Sequence, residues 1–116
     1  MVQRRKMTNH QAAVAYIDCF SGISGDMFLG ALLDAGLPVE ELRKQLALLD
    51  LDGYTLIVGK KTCGAIAATT LSVQSKEHHP HRTLRDIRQL ITASKLAEPV
   101  KETALSIFSL LAEAEA

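Results

Sequence analysis

The alternation of apolar and polar positions divides most of the chain into seven segments. Residues 13–20 form a short apolar run with Val14, Tyr16 and Ile17, which reads as a strand, buried on both faces if central. A turn-rich stretch follows, Ser21-Gly22-Ile23-Ser24-Gly25-Asp26. Over 25–36, Phe28, Leu29, Leu32 and Leu33 recur at helical spacing, and Gly36 supplies a stop. Pro38 opens a second helix over 39–49, with Val39, Leu42, Leu46 and Leu49 on one stripe. Asp50 to Gly53 is a turn. Residues 54–59 and 65–74 are rich in β-branched side chains and read as two strands joined by a loop with Gly59 and Gly64. After a polar loop over 76–82, Thr83 caps a third helix over 83–94, with Leu84, Ile87, Leu90 and Ile91 on one face. Asp86, three residues after Thr83, approximates a capping box. Pro99 opens a fourth helix over 99–116, carrying Val100, Ala104, Ile107, Phe108 and Leu111.

The order β-α-α-β-β-α-α, with no internal repeat, predicts an α+β domain with a small mixed sheet and four helices. Residues 1–12, with Arg4, Arg5 and Lys6, read as a flexible polar tail, and 13–116 as the domain. Residues 106–116 contain no Gly, Asn or Pro and no basic last turn, so nothing there stops a helix. The expectation is therefore a front portion cut within its last helix. Val100, Ile107 and Phe108 would then face the body, while Leu105, Leu110 and Leu111 leave part of a stripe uncovered.

Composition narrows the function classes. At 116 residues the chain fits one domain, and 47% hydrophobic content argues against disorder. The 13 basic and 13 acidic residues balance, so neither nucleic acid nor a membrane surface is expected as a partner. Two cysteines, Cys19 and Cys63, are too few for a disulfide framework and fit a reduced, cytoplasmic chain. No apolar run reaches the roughly 18–20 residues of a membrane helix. The basic start is not followed by the apolar segment of a signal peptide.

The densest chemistry lies in Asp18-Cys19-Phe20-Ser21-Gly22-Ile23-Ser24-Gly25-Asp26, between a predicted strand and a predicted helix. Such a junction exposes backbone N–H groups and the positive end of a helix dipole. Gly22 and Gly25 would let the backbone approach a phosphate, Ser21 and Ser24 could add donors, and Asp18 or Asp26 could hold magnesium or manganese. The loop is neither a Walker A motif nor a dinucleotide fingerprint. A purely structural reading stands beside this one: Ser24 as N-cap, Asp26 as first-turn carboxylate, Gly22 as turn residue. The second cluster is His78-His79-Pro80-His81-Arg82. Three imidazoles could ligate nickel or zinc with help from elsewhere, or simply form a solvated loop. Cys19 and Cys63 read more simply as small hydrophobes than as reactive thiols.

Residues 17–36, IDCFSGISGDMFLGALLDAG, resemble the N-terminal signature of the LarC family of nickel insertion proteins. His81-Arg82-Thr83-Leu84-Arg85-Asp86-Ile87 resembles the family's segment after its histidine-rich loop, and SIFSLLAEAEA over 106–116 its next helix. The resemblance covers about residues 14–116. It implies an enzyme, a CTP-dependent nickel chelatase of the lyase class with a metallochaperone-like role. Nickel would enter pyridinium-3,5-bisthiocarboxylic acid mononucleotide, completing the nickel-pincer cofactor of lactate racemase. Manganese or magnesium would accompany the nucleotide. Full members are roughly three to four times as long, so the C-terminal part, on the same or a separate chain, is an implied partner. Homo-oligomerisation stays open. The loop here holds only His78, His79 and His81, fewer than family members often carry. No residue can be matched to an established catalytic role. The alternative is a non-catalytic metal- or nucleotide-binding assembly domain that acts with a separate partner chain.

Overall fold

The computed structural model of the chain describes residues 2–6, 13–76 and 81–116. In chain order the elements are β1 (Val2–Lys6), β2 (Ala13–Ile17), α1 (Gly25–Asp34), α2 (Val39–Leu46), a short 3-10 helix (Ala47–Leu49), β3 (Tyr54–Cys63), β4 (Ile66–Ser75), α3 (Leu84–Ala93) and α4 (Glu98–Glu115). The class is α+β, with four helices, and from β2 onward the order is β-α-α-β-β-α-α, as the pattern predicts.

Two features of the sheets differ from expectation. Residues 2–6, expected within a flexible tail, form a strand paired antiparallel with β2, from Val2 opposite Ile17 to Lys6 opposite Ala13. The sequence VQRRK has no apolar periodicity, so hydropathy gave no sign of a strand held by backbone hydrogen bonds. The strands also pair as two separate antiparallel ribbons, β1 with β2 and β3 with β4, rather than as one mixed sheet. Each strand takes its neighbour in sequence, which needs only a local connection; a parallel pair needs a crossover.

The chain divides into two compact units. The first comprises Met1–Val39 and Tyr54–Ser75. In it, α1 lies against β4. A Cβ added to the buried Gly30 would come within 2.8 Å of the Thr69 carbonyl oxygen, so only glycine allows this approach. Leu56 and Leu71 are the buried apolar residues of the β3–β4 ribbon. The register places them on one face, since Leu56 opposes Val73 and Leu71 opposes Val58. α1 ends in a full Schellman motif: the Gly36 amide donates to the Leu33 carbonyl at 3.1 Å and the Leu37 amide to Leu32 at 3.0 Å. Gly36 supplies the required positive φ of 114°. β2 is not central. Val14, Tyr16 and Ile17 are 53%, 67% and 43% exposed, against the both-face burial that its composition would support.

The second unit comprises Glu40–Gly53 and Lys76–Ala116. Its buried apolar residues are Leu42 and Ile91. The Lys95 amide donates to the Leu48 carbonyl, tying the chain after α3 to the 3-10 helix. The capping box at α3 forms as predicted. The Asp86 amide donates to Thr83 Oγ1 at 3.2 Å, and the Thr83 amide donates to the Asp86 carboxylate at 2.9 Å. Lys101 Nζ donates to the Thr92 carbonyl in the last turn of α3, placing a cation at the negative end of that helix. This anchor turns α4 so that Leu105 and Phe108 are half-buried. Val100 and Ile107, expected to face the body, are exposed instead, as are Leu110 and Leu111.

Candidate functional site

The junction between β2 and α1 carries most of the predicted site residues. Asp18 and Cys19 follow the end of β2 directly, and both are exposed. The Gly22 amide donates to the Cys19 carbonyl at 3.2 Å and closes a turn. Gly22 has φ of 85°, a left-handed backbone that a side chain adopts only with strain. Gly25 is different: a Cβ there meets nothing within 4 Å, and α1 begins at this residue. Among the described residues, no steric feature requires glycine at position 25.

Ser24 occupies the N-cap position in extended backbone but makes no side-chain cap. Its hydroxyl instead donates a hydrogen bond to Asp26 Oδ1. The Met27 amide donates to the same oxygen at 2.9 Å. These two donors, the Ser24 hydroxyl first, hold the Asp26 carboxyl below its usual range, so it is fully ionised at neutral pH. The capping role foreseen for Ser24 is thus exercised through Asp26. The arrangement also sorts the chemistry. The Met27 amide is one of the first-turn donors offered to an anion, and Asp26 already takes it. A phosphate would compete with that carboxylate, whereas a cation would be drawn to it.

His81 is exposed and precedes the α3 capping box, in the second unit. His78 and His79 lie outside the described residues. Among the described residues, no three His, Cys, Asp or Glu side chains gather in a way that could hold a metal ion. The structure brings Ser24, Asp26 and the start of α1 together. It does not bring a complete metal-ligand set together among those residues.

One cluster escaped the sequence reading. Lys60 Nζ donates to Thr69 Oγ1 at 2.6 Å, and that hydroxyl donates to Asp34 Oδ1 at 2.8 Å. Lys60 lies 3.7 Å from the same carboxylate oxygen. Lys60 and Thr69 are directly opposed across the hairpin. Counting the register outward from Gly64 would have paired them. The relay joins the end of α1 to the ribbon and, with Gly30, fixes the helix that the loop leads into.

The class the fold defines is an α+β chain in which a glycine- and serine-rich turn leads an ionised carboxylate into a helix start. The comparisons are more specific. The family described as "Nickel insertion protein" matches residues 15–116, and the chain belongs to that family. It is 52% identical over 102 residues to a protein of Desulfitobacterium hafniense (strain DSM 10664 / DCB-2) named "Pyridinium-3,5-bisthiocarboxylic acid mononucleotide nickel insertion protein". That match covers 88% of this chain and 25% of the relative. A protein of the same name from Acetivibrio thermocellus is 45% identical over 112 residues, covering 89% of this chain and 28% of the relative. The chain therefore spans about a quarter of the length of the curated relatives it matches. No solved structure matches it. No helix among the described residues is long and apolar enough to cross a membrane.

Proposed function

We propose that this chain forms the phosphate- and cation-handling part of a cytoplasmic nickel insertion enzyme. The reaction would be CTP-dependent insertion of nickel into pyridinium-3,5-bisthiocarboxylic acid mononucleotide, yielding the nickel-pincer cofactor of lactate racemase. Family membership and the names of the relatives support the nickel and its acceptor. The reading rests above all on Asp26, an ionised carboxylate held at an open helix start beside Gly22 and Gly25.

In this reading Ser21, Gly22, Ser24 and Gly25 face a phosphate of CTP or of the mononucleotide. Asp26, with Asp18 as the other candidate, holds a magnesium or manganese ion. The donor set fits such an ion: magnesium is commonly bound by one or two carboxylates, with phosphate oxygens and waters filling the other positions. When bound, the ion would neutralise phosphate charge. The chain's own contribution is to keep Asp26 ionised and aimed, through the Ser24 hydroxyl and the Met27 amide. His78, His79 and His81 would offer neutral imidazoles to the incoming nickel, with further ligands from outside the loop.

The test joins residues 1–116 to the remaining three quarters of the Desulfitobacterium hafniense relative and carries Asp26→Asn. Asparagine can still accept the Ser24 and Met27 hydrogen bonds, so folding should be preserved. CTP turnover and nickel insertion should fall by about 10–100-fold, as for loss of a group supporting a metal site. Unchanged turnover in the folded variant would remove Asp26 from the site. A second reading is favoured by the chain's spanning only about a quarter of the relatives it matches. On it the chain is a non-catalytic metal- or nucleotide-binding assembly domain acting with a separate partner chain, and CTP turnover survives without its loop.

A further inference from the structure

α4 presents three faces. Residues 101, 104, 105, 108, 109 and 112 are the half-buried ones, and the Lys101 ammonium there meets the end of α3. A polar face carries Glu98, Glu102, Ser106 and Glu113. The third face is apolar and open, formed by Val100, Ile107, Leu110 and Leu111, which are 49%, 60%, 65% and 51% exposed. Their spacing gathers them into one stripe along nearly the whole helix.

We infer that this stripe is a docking surface for the part of the nickel insertion polypeptide that lies outside the region this chain spans. One observation selects that occupant. About three quarters of each matched relative's length lies beyond the matched region, so in those proteins a large polypeptide accompanies this domain. The complementary segment presents an apolar stripe of its own, in the helix-in-groove or helix-on-helix manner. The inference rests on family membership and on α4, not on the role proposed for Asp26.

The test compares amide hydrogen exchange over residues 100–111 in the 116-residue chain and in the same residues joined to the remainder of the Desulfitobacterium hafniense relative. Exchange there should slow by about tenfold or more in the joined protein, and an Ile107→Glu/Leu110→Glu variant should lose that slowing. Both positions are exposed in the chain itself, so the variant's circular dichroism alone should match the parent. Sedimentation of the 116-residue chain should show a monomer. Equal exchange in the two proteins, or slowing that persists in the variant, would overturn the inference. So would a dimer of the short chain that the same variant dissolves. Slowed exchange without nickel insertion would leave the docking standing and count only against the catalytic reading.

Discussion

At the scale of single residues, three glycines with the same lack of side chain have different reasons for it. Gly22 holds φ of 85°, Gly30 has a carbonyl oxygen where its Cβ would go, and Gly25 has neither constraint. Gly30→Ala should push α1 off β4 and destabilise the fold by about 1–3 kcal/mol, measured by denaturant unfolding. An unchanged midpoint would mean that α1 shifts freely. The sequence reading singled out Gly22 and Gly25 because they sit in an evident turn. It missed Gly30 because a glycine inside a helical stripe carries no local sign of what packs against it. Asp26 was legible as a flanking carboxylate. Its hold on the Met27 amide was not, because Ser24 in an N-cap position suggests the simpler cap.

At the scale of elements, helix ends were the most readable feature. Thr83 and Asp86 form their reciprocal box, and Gly36 closes α1. The amide and hydroxyl of Thr83 hold the Asp86 carboxyl below its usual range. A depressed carboxyl stabilises the fold above its unfolded pKa, near 3.9. That contribution falls away as pH drops below that value toward the lower folded one. Thr83→Ala should cost about 0.5–2 kcal/mol at neutral pH. It should also flatten the acid limb of thermal stability below about pH 4. An acid limb identical to the parent's would show that the box does not govern it. Strand pairing was less legible. The long β3–β4 hairpin followed from its β-branched runs, but β1 has no apolar periodicity, and β2 has the composition of a central strand without the position. The face that α4 turns inward depends on the Lys101 contact with Thr92, a tertiary feature that spacing alone does not contain.

At the scale of the whole molecule, the α+β class and element order were legible because each helix and hairpin is bounded by its own signals. The family was legible because residues 17–36 carry a long, unusual signature, and the match over 15–116 bears it out. The division into two units was not foreseen, since no composition shift marks it and both units draw on discontinuous stretches. Val14, Tyr16, Ile17, Ile107 and Leu110 are large apolar side chains left exposed. Whether the β2–α1 loop receives a ligand is tested most simply by Gly25→Ala in the chain joined to the remainder of its Desulfitobacterium hafniense relative. The added methyl meets nothing in the fold, and alanine in a helix is favoured over glycine by about 0.5–1 kcal/mol. Unfolding stability should equal or exceed the parent's, with CTP turnover and nickel insertion sharply reduced because the methyl stands where a phosphate approaches the backbone. Equal stability with full turnover would contradict ligand binding there and leave the loop as a turn.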